Sequence, residues 1–258
     1  MTHSSLQAVW DQDRAAIGGW VAGGSEFSLD LYRRAQYDYI GIDCQHTAYN
    51  EAQAASMLQR VPAGSPAVIV RVSKNDATLI QRLCDAGADG IIVPMVNTAA
   101  EAEAAVAATR YPPRGVRSFG PNRPDLRADD LVALADRVSV FVMIETSDGL
   151  QNVDEITAVE GLAGVYVGPA DLSIGLGLSP LTAFTSDQLL EPVERIRKAC
   201  EANNIVLGMH QMNAATATTW ISRGVRLASL GSDGGLFLSA AIAALKDARN
   251  GEAQGRAH

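Results

Sequence analysis

The sequence predicts an α/β protein of the (β/α)8 TIM barrel class, folded as a single domain. Three observations carry this. Short β-rich runs alternate with helical stretches almost from end to end of the 258 residues. Several runs, such as "AVIVRV", "GIIVP" and "VFVMIE", are solidly apolar, as strands covered on both faces of a parallel sheet must be. Eight strand candidates interleaved with seven helical stretches in about 250 residues come close to the eight-and-eight count of such a barrel. The rival, an open doubly wound sheet, usually carries fewer strands, and no GxGxxG follows the first strand here.

The strand candidates are 17–22, 37–43, 67–72, 90–94, 138–145, 164–168, 205–210 and 227–231. Between them, 50–60, 76–86, 98–109, 149–158, 186–202, 213–223 and 234–247 are rich in Ala, Leu, Glu, Gln and Arg and are read as helices. In "NTAAEAEAAVAATRYPP", Asn97 or Thr98 caps, Glu101 completes the N-terminal signature and Pro112 ends the run. Gly87 falls just past a helix, where a left-handed residue usually closes it. No repeat or Pro/Ser-rich linker divides the chain. The domain is expected to span 1–250, with 251–258 a frayed tail. The longest irregular piece, "RYPPRGVRSFGPNRPDLRADD", has the length of a functional loop.

The bulk numbers exclude several classes. A net charge of -8 argues against a nucleic-acid footprint. Cys44, Cys84 and Cys200 are far apart and odd in number, so neither a disulfide framework nor a zinc knuckle is indicated. No run approaches the roughly 20 apolar residues of a membrane span. The N-terminus lacks a signal-peptide core, so a cytoplasmic protein is expected.

In such barrels, residues just past the C-terminal ends of the strands face the active site. Here those positions supply Asp43 and His46, Arg71, Glu145, Asp171, and His210 with Gln211. Glu145 and Asp171 follow consecutive strands, which lie about 4.8 Å apart, so the two carboxylates can converge. With water and substrate oxygens they suit a hard divalent cation, Mg²⁺ or Mn²⁺; alone, Asp171 reads equally as a helix N-cap or Asx-turn. Asp43 is placed to fix the tautomer of His46. Arg71 ends a buried run and needs a partner, either Glu145 or a substrate carboxylate. His210 is a further site residue or simply a strand-end histidine. Of the lysines Lys74, Lys198 and Lys246, none sits inside the barrel mouth as a Schiff-base aldolase requires. No GxSxG marks a serine hydrolase.

With these residues assembled, the chain resembles the HpcH/HpaI aldolase family, metal-dependent class II pyruvate aldolases, from about residue 17 to 245. The likeness rests on "YDYIGIDCQHTAYN", "VIVRVSKND", "GADGIIVPMVNTAAEAEAAVAATRYPPRGVR", "MIETSDGLQNVDEI" and "GVYVGPADLS". It implies reversible cleavage of 4-hydroxy-2-oxo acids to pyruvate or hydroxypyruvate and an aldehyde, through a metal-stabilised enolate. Glu145 and Asp171 match the metal ligands, for Mg²⁺ or Mn²⁺ with Co²⁺ or Zn²⁺ as alternatives. Arg71 matches the arginine on the pyruvyl part, and His46 the acid/base histidine supported by Asp43. Asp85 matches an acid that approaches a neighbouring subunit's site. Gly168, Pro169 and Ala170 match the bed of the substrate carboxylate. The resemblance also implies a hexamer, a trimer of dimers, with the C-terminal helix exchanged between subunits. Gln45, Met143, Ser147 and "SFGPNRPDLR" depart from the family pattern.

Two rivals follow from the same residues. Arg114, Arg117, Arg123 and Arg127 in one loop suit the phosphates of a CoA thioester, as in a citrate-lyase-β-like acyl-CoA lyase. "GSDGG" after the last strand suits a phosphate at a helix N-terminus, as in a non-catalytic barrel that binds a phosphorylated ligand.

Overall fold

The computed structural model describes residues 5–23, 26–62, 64–126, 130–185 and 187–255. In chain order, α1 (Ser5–Trp10) precedes β1 (Ala16–Val21), followed by α2 (Glu26–Arg34), β2 (Tyr39–Asp43), α3 (Glu51–Leu58), β3 (Ala67–Arg71), α4 (Ala77–Ala86), β4 (Gly90–Val93) and α5 (Ala99–Thr109). Then come α6 (Leu131–Asp136), β5 (Ser139–Ile144), α7 (Ser147–Gln151), α8 (Val153–Thr157), β6 (Gly164–Val167) and α9 (Pro169–Gly175). α10 (Leu190–Ala202), β7 (Val206–Met209), α11 (Ala214–Ile221), β8 (Leu227–Ser232) and α12 (Asp233–Gly255) complete the chain. All the strand pairs are parallel, and β8 returns to β1 to close the barrel.

Period-two alternation along each strand divides the core into two shells. Ile40, Ile42, Val68, Val70, Val140, Val142, Val165 and Val167 face outward into one cluster with the helices. Tyr39, Ala67, Ile69, Ile92, Phe141, Met143 and Tyr166 face inward into a second cluster. Leu6 of α1 belongs to that inner cluster and is fully buried, so α1 stoppers the N-terminal end of the barrel.

Large and small residues face each other across neighbouring strands. Gly18 opposes Tyr39, Gly41 opposes Trp20, and Gly208 opposes Tyr166. A Cβ on Gly41 would lie 2.2 Å from the Trp20 ring, and one on Gly18 would lie 2.1 Å from that of Tyr39. Three aromatic rings thus fill the barrel because three glycines make room for them.

The expected caps form. Thr98 and Glu101 make a capping box at the start of α5, and Gly87 closes α4 at φ 103°. The helix expected over 149–158 is two short helices, α7 and α8, meeting at Asn152. α12 continues to Gly255, past the expected domain limit; of the expected frayed tail, 256–258 lie outside the described residues.

Candidate active site at the barrel mouth

Strand parity puts Asp43, Arg71, Glu145, Gly168 and His210 in the inward series, one step beyond the last core layer. Inward Tyr39 and Gly41 lead to Asp43, Ile69 to Arg71, Met143 to Glu145 and Tyr166 to Gly168. The same strands that bury the core therefore aim these groups into the mouth.

Arg71 is buried, and its carboxylate partner within the chain is Asp43, not Glu145. Nε lies 2.9 Å from Oδ1 and Nη2 lies 2.6 Å from Oδ2. A buried guanidinium demands a carboxylate, and the register sets Asp43 directly opposite. Burial alone would lower the Arg71 pKa, but the bonds to Asp43 outweigh it and hold the pKa above its ordinary value. Burial likewise works to raise the Asp43 pKa, and the same bonds outweigh it and pull the pKa down. The expectation that Asp43 orients the His46 ring is thereby corrected. Asp43 accepts the backbone N–H groups of Gln45, at 2.9 Å, and His46, folding the loop over itself while the His46 side chain stays exposed.

The guanidinium also lies over Trp20, with Cζ 5.4 Å from the ring centroid. Trp20 in turn stacks on Tyr166, 5.9 Å away at 9°. A cation–aromatic floor under the mouth was not read from the sequence; its signal was the glycine at position 41 that admits the indole.

Across the mouth, Glu145 is buried. Its Oε1 accepts the Met95 N–H at 2.8 Å, and its Oε2 is buried with no partner. Met95 adopts a left-handed φ of 58°, a conformation that costs a non-glycine residue about 1 kcal/mol or more and aims its N–H at the carboxylate. Asn97 braces this turn through Met95 O, Thr146 Oγ1 and Asn152 Nδ2. Burial pushes the Glu145 pKa up to about 7, the Met95 bond works against it, and the charge of Asp171 adds to it. Asp171 lies in the first turn of α9, whose N-cap is Gly168; it is not itself the cap. A Cβ on Gly168 would come 2.4 Å from Glu145 Oε2, so glycine there keeps that oxygen's space open.

These two carboxylates fit a divalent cation: one oxygen is buried and unpaired, a second acid stands close by, and both are hard donors. No group of three or more His, Cys, Asp or Glu converges among the described residues. The rest of a coordination shell would therefore come from water and substrate.

His210 turns into the mouth from the end of β7. Its ring meets Trp20 edge-on at 5.0 Å, and Nδ1 lies 3.4 Å from Tyr166 Oη and 3.3 Å from Ser229 Oγ. Gln211 next to it is fully buried, with neither side-chain amide atom paired.

Other expected residues lie elsewhere. Asp85, at the far end of α4, pairs with Arg117 at 2.8 Å and is not brought to this chain's mouth. A helix that follows a strand returns to the barrel's opposite end, so the loop after α5 lies there too. In it, Arg114 pairs with Asp136 and Arg123 with Asp125; Arg127 is outside the described residues. A CoA-phosphate cradle at this chain's mouth is thus not built from this loop. At "GSDGG", Asp233 itself accepts the N–H groups of Ala22, Gly23 and Gly234, occupying the donors that a phosphate would use.

The HpcH/HpaI aldolase/citrate lyase family matches residues 16–240, and the chain belongs to it. A hydroxypyruvate/pyruvate aldolase of Rhizorhabdus wittichii is 35% identical over 95% of this chain and 99% of its own. A 4-hydroxy-2-oxo-heptane-1,7-dioate aldolase of Shigella sonnei is 34% identical, covering 93% of each chain. The crystal structure of a family member from Burkholderia cenocepacia superposes with a TM-score of 0.86 at 28% identity, over 95% of this chain and 98% of that one.

Proposed function

We propose that the chain is a divalent-metal-dependent aldolase that reversibly cleaves 4-hydroxy-2-oxo acids to pyruvate, or hydroxypyruvate, and an aldehyde. The observation that carries this is the facing of Arg71, locked to Asp43, against the unpaired buried oxygen of Glu145. Glu145 and Asp171 would hold the cation, with Mg²⁺ or Mn²⁺ matching the donors better than Co²⁺ or Zn²⁺. When bound it supplies Lewis-acid polarisation of the 2-oxo group.

The chain's own residues do the rest. Asp43 uses Nε–H and one Nη2–H of Arg71, which leaves three N–H groups of the guanidinium. These donate to the 2-oxo oxygen, where negative charge develops as the C3–C4 bond breaks. His46 takes the proton of the C4 hydroxyl as that carbon leaves as the aldehyde. C3 is then protonated. The first turn of α9 has N–H groups without intrahelical acceptors, so the backbone of Gly168, Pro169 and Ala170 is the bed for the substrate carboxylate, with Ala170 as a donor and Pro169, which has no N–H, only shaping it. The lysines stay out of this chemistry: Lys74 and Lys198 lie on the surface in ion pairs, and Lys246 is exposed on α12.

The functional unit is a homo-oligomer, in keeping with the expected hexamer, that exchanges α12. The last helix of a barrel normally covers the seam between its final and first strands; here Phe237, Leu238, Ile242 and Leu245 on α12 are all exposed. Beside its root, Phe27, Leu31, Ala35 and Tyr37 line an apolar groove of about 500 Å³, which would take a second copy's α12. Asp85 would reach a neighbour's site in that assembly. No helix among the described residues is long and apolar enough to cross a membrane, and the three cysteines are free and buried. Those thiols suit the reducing cytoplasm.

The test is pyruvate release from a 4-hydroxy-2-oxo acid, followed with and without chelator. Release that needs Mg²⁺ or Mn²⁺ is expected. Full activity in EDTA with inactivation by borohydride would overturn the reading.

A further inference from the structure

Of the two contacts at His210 Nδ1, the shorter one, to Ser229 Oγ, points to that ring nitrogen as the one that carries the proton. Ser229 Oγ accepts the Gln211 N–H at 2.7 Å and lies 2.9 Å from the Gln211 carbonyl oxygen, to which it donates. A serine hydroxyl has a single hydrogen, and that carbonyl takes it at a shorter distance than the 3.3 Å to His210. Toward the imidazole, Ser229 therefore offers a lone pair, which an Nδ1–H matches, with the more distant Tyr166 Oη as a second acceptor on the same edge. Burial first, and the Arg71 charge second, push the His210 pKa down to about 4, so the ring is neutral at neutral pH. The Nδ1 edge is taken by Ser229 and Tyr166 while the residue is only half-buried, so Nε2 is the polar atom left for the mouth, as a hydrogen-bond acceptor. Trp20 touches both this ring and the Arg71 guanidinium, and the Arg71 charge acts on the ring, so the acceptor lies beside the arginine that would meet the 2-oxo acid.

A neutral acceptor repels a carboxylate and binds a hydroxyl. We propose that His210 is a specificity-determining residue whose Nε2 accepts a hydrogen bond from a hydroxyl on the carbon beside a carbonyl, so that the site favours α-hydroxycarbonyl substrates over their deoxy counterparts. This rests on the aldolase reading of the same mouth. Hydroxypyruvate as the donor and a hydroxyaldehyde as the acceptor share this chemistry.

The test compares kcat/KM for hydroxypyruvate against pyruvate, and for glycolaldehyde against acetaldehyde, in the Mg²⁺-loaded protein and in His210→Leu. One of the two ratios should fall about tenfold, the worth of one lost hydrogen bond; which ratio falls says whether the hydroxyl is on the acid or the aldehyde. Unchanged ratios, or an equal loss for all four substrates, would overturn the proposal. Nitrogen NMR of the imidazole in the unmutated protein gives a readout independent of folding in the variant. Nδ1 should be protonated and Nε2 unprotonated, with the Nε2 resonance moving on addition of a hydroxylated ligand and not of its deoxy partner. A protonated Nε2 would overturn the proposal. Selective movement of that resonance in a protein that releases no pyruvate would defeat the aldolase reading alone; turnover with unchanged ratios would defeat this proposal alone.

Discussion

Arg71 and Asp43 face each other across β2 and β3 as a two-point ion pair, 2.9 Å and 2.6 Å, with both side chains buried. The pair has separable consequences. Arg71→Ala should lower turnover by about 10²–10³-fold, the range for a lost oxyanion donor. Arg71→Lys should lose most of it too, because an ammonium cannot make the planar fork. Asp43→Ala leaves an uncompensated buried cation and should cost about 3–5 kcal/mol of stability. Pairing it with Arg71→Met should recover stability and not activity, as measured by urea melts and turnover together.

Glu145 gives the protein a pH signature of known sign. Its pKa rises from an ordinary 4.5 to about 7 in the folded chain, so between those values the folded state holds more protons than the unfolded. Its contribution to stability is therefore full below about pH 4.5 and is lost as pH rises to about 7. In EDTA, Glu145→Gln should gain stability relative to the unmutated protein as pH goes from 5 to 8. Mg²⁺ binds the deprotonated form and should raise the Tm of the unmutated protein at pH 8 far more than at pH 5. Thermal melts at the two pH values check both.

Gly168→Ala tests the space beside the acid. The new Cβ would meet Glu145 Oε2 at 2.4 Å and Met143 Cε at 3.0 Å. Overpacking of this kind costs about 1–3 kcal/mol, and displacement of the carboxylate should weaken Mn²⁺ binding about tenfold or more. Titration calorimetry with Mn²⁺ and a melt separate the two effects.

Phe237→Asp places a charge on the exposed face of α12, 77% exposed in the single chain. If that face is covered by another copy, sedimentation should show smaller species while the circular dichroism of the barrel is kept. An unchanged sedimentation coefficient would remove α12 from the assembly.

All eight strands were legible because a buried parallel strand needs a solid apolar run, and "AVIVRV" or "VFVMIE" has few other uses. The mouth was legible because it lies one inward step past those runs. What escaped the sequence depends on register or on distant segments. The Arg71–Asp43 pairing follows from which residues face each other between β2 and β3; the strand ends alone left Glu145 as an equal partner. Trp20 gained its place from Gly41, 21 residues away and on another strand. α1, α2, α6 and α9 were missed because they are short: α1 and α6 have six residues each, α9 has seven opened by proline and ended by glycine, and α2 has nine, so helical periodicity has little room to show. Ser229 and its clasp on Gln211 join β8 to β7, a contact that no local pattern announces.

The most direct measurement is the anomalous scattering map of a crystal grown with Mn²⁺ and pyruvate. The account predicts one Mn²⁺ peak bound by Glu145 and Asp171, with pyruvate oxygens completing its shell and the Arg71 guanidinium on the 2-oxo oxygen. A Mn²⁺ peak away from both carboxylates, or pyruvate bound out of reach of Arg71, would contradict it.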